Sequence, residues 1–176
     1  RTGLNHARNR AVTESRYEVL AFLDDDVWVG RGWLLGLLEV YRATPASMVA
    51  GHIELWWESV SRPEWLTRGM EMTLSCLDRG PSIVELREPD AIGANFSLRR
   101  EVFDKVGPFA GELDRVGTQL LSGGETLLVR RGMQAGFRLF YGPHATRKHW
   151  GARHWIQELY LTGMAYGSAF SNVLMK

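Results

Sequence analysis

Three consecutive aspartates, Asp24, Asp25 and Asp26, follow the apolar run Val19-Leu20-Ala21-Phe22-Leu23. On an extended chain, side chains two residues apart leave the same face, so Asp24 and Asp26 project together and Asp25 turns away. Two such carboxylates repel each other and can share a hard divalent cation, Mg²⁺ or Mn²⁺, which takes oxygen ligands from protein and substrate phosphates. The plainer alternative is that one aspartate caps the next helix and the others are solvated turn residues. The apolar run tilts the balance toward a site, because open α/β sheets bind ligands beyond the C-terminal ends of such strands. A D-x-D after a hydrophobic strand also suggests a haloacid dehalogenase-type phosphatase, but Trp28 stands where that pattern has Thr or Val, and no clear acidic pair follows downstream.

A second carboxylate worth following is Glu125, in Ser122-Gly123-Gly124-Glu125 before an apolar helix. The structural reading is a capping box, with Glu125 bonding back to the Ser122 amide. The functional reading is a carboxylate kept ionised by the helix dipole and ready to accept a proton. Gly123 and Gly124 would then let an acceptor approach the backbone closely.

The elements that position these groups follow from periodicity. Residues 5–14 read as a short helix and 19–23 as a buried central strand of a parallel sheet. Apolar residues at helical spacing run from Trp33 to Tyr41, and residues 48–55 return to strand character. Helix alternating with strand implies an α/β fold. Residues 56–88, broken by Pro63, Gly69, Gly80 and Pro81, read as a loop-rich excursion. A strand is expected over 91–98, helices over 100–106 and 125–135, and a strand over 137–141. A C-terminal helix over about 153–174 carries an apolar face of Trp155, Leu159, Tyr166 and Val173.

With 176 residues, 45% of them apolar, the chain can bury one sizeable core, and no linker marks a second domain, so one domain over 1–176 is expected. The net charge of +1 argues against a dedicated nucleic-acid binder. The single cysteine, Cys76, excludes an internal disulfide and points to a cytoplasmic setting. No stretch reaches the roughly 18 to 20 apolar residues of a membrane span. The chain begins with Arg1 and enters a helix almost at once, from which missing N-terminal elements are expected.

Taken in order, Gly3-Leu4-Asn5-His6-Ala7-Arg8-Asn9, Phe22-Leu23-Asp24-Asp25-Asp26, Gly93-Ala94-Asn95-Phe96-Ser97-Leu98-Arg99-Arg100, Val106-Gly107-Pro108-Phe109, Gly123-Gly124-Glu125 and His149 resemble the family 2 glycosyltransferases of GT-A fold. The resemblance implies a GT-A-like, Rossmann-like, mostly parallel sheet flanked by helices, lacking the N-terminal strands that bind the nucleotide base. It implies an inverting transferase, dependent on Mg²⁺ or Mn²⁺, with a nucleotide-sugar donor and a saccharide or lipid-linked acceptor. Asp24 and Asp26 would hold the ion, with His149 as a further ligand or diphosphate contact; a solvated loop histidine is the alternative, and His144 and His154 lie nearby. Arg8, Gly93, Asn95 and Arg153 would serve the donor side with the two aspartates. Glu125 falls where the family has the second acidic residue of a catalytic pair, and Gly124 stands where the first usually lies.

Trp56, Trp57, Gly123 and Gly124 are the expected acceptor contacts, aromatic faces being suited to sugar rings, although tryptophan is more often core. Arg147 and Lys148 read as a basic loop that adds charge near phosphates or is merely solvated. Peripheral contact of the C-terminal helix with the inner face of a membrane is a further expectation. A non-catalytic nucleotide-sugar or carbohydrate-binding module is the alternative to an enzyme, and would leave Glu125 as a cap.

Overall fold

The computed structural model describes residues 3–57, 61–113, 123–150, 157, 160–166 and 173. Helix α1 (Leu4–Glu14) leads into β1 (Val19–Leu23), which stops at the aspartates. A short β2 (Val27–Val29) follows, then α2 (Trp33–Ala43) and β3 (Met48–Trp56). The excursion expected to be irregular holds α3 (Arg68–Thr73) and β4 (Val84–Leu86). Then come β5 (Asn95–Arg99), α4 (Arg100–Val106), a 3₁₀ turn at Gly111–Leu113, α5 (Gly124–Gln134) and β6 (Leu139–Trp150).

The sheet order is β1-β5-β3-β6-β2, with β4 also paired to β6. This is the expected α/β architecture, but the sheet is mixed. Only β3 and β6 run parallel, and every other pairing among the described residues is antiparallel. The expectation of a central β1 in a mostly parallel sheet is corrected accordingly: among the described residues β1 pairs with β5 alone. Its apolar run is spent on one face, where Leu20 is buried and Phe22 stacks on Phe96, with ring centroids 4.9 Å apart.

The main core lies between the sheet and helices α4 and α5, around Met48, Phe96, Leu98, Val102, Leu128 and Leu139. A second cluster on the other face joins α2 to the sheet through Leu37, Val40 and Val49. Gly36 lets α2 sit close, since a Cβ there would lie 2.3 Å from the His144 carbonyl carbon. β6 runs nine residues beyond the end expected at Tyr141, so residues 147–149 belong to a sheet strand and not to a basic loop. Of the expected C-terminal helix, residues 160–166 are helical; most of the remainder, with Trp155, lies outside the described residues.

Candidate active site

Helix α1 is polar, yet Asn5 and Arg8 are buried. Asn5, Arg8 and Asn9 share one face by their spacing of three and four residues. Asn5 Nδ2 donates to the Ala110 carbonyl at 2.8 Å, and Asn9 exchanges hydrogen bonds with the Phe109 backbone at 3.0 and 2.9 Å. The helix therefore docks by side chain-to-backbone bonds, and this docking carries Arg8 inward, with its guanidinium carbon 5.6 Å from the Phe109 ring centre.

Arg8 is the hinge of the site. One of its terminal nitrogens lies 3.3 Å from Asp24 Oδ1 and the other 3.3 Å from Glu125 Oε2, and its side chain is only 8% exposed. The other oxygen of Glu125 accepts the Gly93 amide at 3.2 Å. A Cβ at Gly93 would lie 2.2 Å from Arg8 Nη2, so any larger residue there would have to push the guanidinium aside. The N-cap of α5 is Gly123, in the left-handed conformation with φ 102°, and it makes no side-chain cap bond. Ser122 lies outside the described residues, and the Glu125 carboxylate is engaged by Arg8 and Gly93. Sitting in the first turn of α5, it also gains from the helix dipole.

Asp24 lies just past the end of β1, and Asp25 and Asp26 form a turn. Asp24 and Asp26 thus meet through a turn, not through the pleat expected from their spacing. Both line one cavity of about 110 Å³, together with Arg8, Gly93, Glu125 and His149. Burial pushes the Asp24 carboxyl above the usual carboxylate range; Arg8 and then Arg147 pull it back, while Glu125 and Asp26 push it up further.

His149 is buried, unlike a solvated loop histidine, because β6 carries it between β2 and β3, opposite Val27 and Leu55. Its Nε2 lies 3.5 Å from Asp26 Oδ1, and its Nδ1 donates to the Leu74 carbonyl at 3.4 Å. That bond places the proton on Nδ1 and leaves the Nε2 lone pair facing a carboxylate oxygen. Burial, reinforced by Arg147, holds the imidazole below its ordinary pKa, so a proton between these two acceptors is disfavoured. Two carboxylates and a neutral imidazole are a donor set that could hold a divalent cation such as Mn²⁺. Among the described residues no three such side chains are gathered closely enough to ligate an ion.

The remaining expected contacts divide. Gly123 lines the cavity. Asn95 is fully buried and its amide is spent on structure: Nδ2 donates to the carbonyls of His52 at 2.9 Å and Ala145 at 2.8 Å, while Oδ1 accepts Trp33 Nε1 at 2.8 Å. A donor contact through that amide is corrected to a staple joining β5, β3 and β6. Trp57 packs on the Leu55, Leu66 and Leu74 cluster, the core role that tryptophan more often plays. Trp56 instead meets Trp28 edge-on, with ring centroids 5.7 Å apart, and the two flank an open cleft of about 480 Å³ that also touches Asp26 and Lys148. Gly124 is buried against Asn5. His144 is exposed and bonds Glu39 at 2.8 Å. Arg153 and His154 lie outside the described residues. Sequence reasoning did not single out Trp28, whose three-residue strand is hidden behind the aspartates, and it took Arg147 for a loop cation although the residue has no exposed surface.

Known proteins resemble this chain in sequence and in fold. Over 151 residues the chain is 26% identical to the glucosyl-dolichyl phosphate glucuronosyltransferase of Haloferax volcanii, covering 84% of this chain and 47% of the relative. It is 32% identical over 147 residues to the succinoglycan biosynthesis protein ExoM of Rhizobium meliloti, covering 82% of this chain and 43% of that protein. The chain thus spans less than half the length of these curated relatives. Among solved structures, GalNAc-T7 crystallised with UDP, GalNAc and Mn²⁺ superposes with a TM-score of 0.59 at 20% identity, over 85% of this chain and 30% of that one, which establishes the GT-A fold. The sequence pattern of glycosyl transferase family 2 matches residues 1–107, and the chain belongs to that family.

Proposed function

We propose that this chain carries the catalytic cavity of an inverting glycosyltransferase that moves a sugar from a nucleotide-diphosphate donor to an acceptor hydroxyl and depends on a divalent ion. The observation that carries this reading is the convergence of Asp24, Asp26, His149 and Glu125 on one cavity, with Arg8 between the acidic groups. Asp24, Asp26 and the Nε2 of His149 would hold Mg²⁺ or Mn²⁺. The bound ion supplies Lewis-acid neutralisation of the leaving diphosphate.

Glu125 takes the proton of the acceptor hydroxyl as that oxygen attacks the face of the anomeric carbon opposite the diphosphate, which inverts the centre. Arg8 and the Gly93 amide hold the carboxylate in place while it waits, and Arg8 stays close enough to Asp24 to meet phosphate oxygens. Gly123 leaves backbone room for the acceptor, and Trp56 offers an aromatic face to a sugar ring. A saccharide or lipid-linked acceptor fits this reading, as does a cytoplasmic location with peripheral contact at the inner membrane face. No described helix is long and apolar enough to cross a membrane.

Asp26→Ala is expected to abolish Mn²⁺-stimulated consumption of nucleotide-sugar donors while the far-ultraviolet circular dichroism stays unchanged. Glu125→Gln is expected to slow single-turnover transfer at least tenfold with donor affinity nearly intact. Normal metal-stimulated turnover in Asp26→Ala would remove the metal role, and unchanged single-turnover rates in Glu125→Gln would remove the base. A protein that binds nucleotide sugars tightly yet never consumes them with any acceptor would instead be a binding module.

A further inference from the structure

Arg147 stands apart from the other buried side chains among the described residues. Among the described residues it is the largest of the fully buried side chains, with 0% exposure, and its Nε, Nη1 and Nη2 find no hydrogen-bond partner there. It sits in the middle of the sheet on β6, opposite Val29 of β2 and Ile53 of β3. Two residues further along the same strand face stands His149, which faces Asp26. A cation taken out of water without hydrogen bonds is a heavy burden on the fold, and apolar residues of similar volume commonly improve stability at such places. Fold stability therefore does not explain the residue.

Its electrostatic surroundings do. The charges that act on Arg147 are the carboxylates of Asp24 and then Asp26, and Arg147 in turn acts on Asp24 and His149. Among the described residues, Arg8 and both aspartates line the cavity and Arg147 does not, while Arg8 contacts Asp24 directly. A floor of bare carboxylates would hold a metal ion strongly but repel the diphosphate that must arrive beside it. A buried positive charge near those carboxylates trades one affinity against the other. It needs no contact with ligand, because fields in a poorly solvated interior act over several ångströms.

We propose that Arg147 is a positioning residue for the donor diphosphate: a buried counter-charge to Asp24 and Asp26 that favours a phosphate-bearing ligand at the expense of affinity for the bare metal ion. This rests on the metal and diphosphate site proposed above. The sign of the effect separates it from a merely structural role. Loss of packing or order would weaken every ligand, whereas loss of a counter-charge moves cation and anion affinities in opposite directions.

The test compares the wild-type protein with Arg147→Met and Arg147→Lys by calorimetric titration with Mn²⁺ alone and with inorganic pyrophosphate alone, and by thermal unfolding. Arg147→Met is expected to bind Mn²⁺ about tenfold tighter and pyrophosphate about tenfold weaker, in keeping with removal of one nearby unit charge. Its melting temperature is expected to rise by a few degrees. Arg147→Lys keeps the charge and is expected to retain both affinities within about threefold even if its packing is poorer. Parallel weakening of both ligands in Arg147→Met, or no change in either, would overturn the inference. Should Arg147→Met fail to fold, Arg147→Lys decides it, since a large loss of pyrophosphate affinity with the charge retained would point to geometry. A wild-type protein that binds neither Mn²⁺ nor pyrophosphate would remove the underlying site itself, an outcome distinct from failure of the counter-charge.

Discussion

Arg8→Met isolates the link between the two halves of the site. Methionine keeps an unbranched apolar stem but removes the guanidinium, and with it the charge over the Phe109 ring, leaving Asp24 and Glu125 without the cation between them. Both contacts are 3.3 Å, long for charge-assisted hydrogen bonds, and they are unequally shielded: Asp24 is 32% exposed and Glu125 18%. Screening reduces the Asp24 contact to about 1 kcal/mol, while the better buried Glu125 contact contributes about 2 kcal/mol, giving a loss of roughly 3 kcal/mol at pH 7.5. For a chain of this size that is a fall of about 6 to 12 °C in melting temperature.

The pH dependence follows from the sign of the Asp24 shift. Its pKa is already raised by burial and held back chiefly by Arg8, so removing Arg8 raises it further. The variant's deficit is therefore full while Asp24 is ionised and shrinks as pH falls through the raised pKa and the carboxyl takes a proton. Urea unfolding of both proteins at half-unit steps from pH 8 to 5 measures the difference. A deficit below 1 kcal/mol, or one that does not change with pH, would refute the claim that Arg8 acts as the counter-ion of this pair.

Three further outcomes follow from the same geometry. Gly93→Ala places a methyl group 2.2 Å from Arg8 Nη2 and should reproduce much of the Arg8→Met loss, visible as a similar lowering of the unfolding midpoint; wild-type stability would mean that Arg8 can move aside freely. Asn95→Leu leaves the His52 and Ala145 carbonyls and Trp33 Nε1 unsatisfied, an expected loss of about 3 to 5 kcal/mol by urea unfolding, with less than 1 kcal/mol counting against the staple. The His149 pKa lies below its ordinary 6.5. The unfolded chain therefore takes up that proton first as pH falls, and stability is lost from about pH 6.5 down to the folded pKa; His149→Gln should flatten this part of the stability profile, and an unchanged slope would show that His149 does not titrate in this way.

The legible parts of the fold were those where one local pattern decided the outcome. The run from Val19 to Leu23 was strand because it is short, continuous and apolar, and α2 followed from the spacing between Trp33 and Tyr41. β2 escaped notice because three residues carry no periodicity, and Asp25 and Asp26 before it read as turn. The extent of β6 was hidden for another reason. Gly142 and Pro143 look like a strand end, and Thr146-Arg147-Lys148-His149 looks like a solvated loop. Pairing with β3 on one side and with β4 and β2 on the other keeps the strand intact. Burial of Arg147 and His149 is thus a product of tertiary pairing that no local pattern announces.

The same dependence on distant neighbours accounts for the lone carboxylate at the start of α5. Glycine at 124 is a departure from the acidic pair of the resembled pattern, and sequence alone left its cause open. In the structure a Cβ at Gly124 would lie 2.4 Å from Asn5 Nδ2, and that amide is fixed by its bonds to the Ala110 and Leu113 carbonyls. An acidic side chain at 124 would need Asn5 to leave, and with it part of the docking that brings Arg8 into the cavity. Arg8 in turn meets the acid that remains, Glu125. The glycine, the asparagine and the arginine are therefore coupled: α1 seats its polar face in space that a second acid would occupy, and delivers a cation to the single acid left beside it.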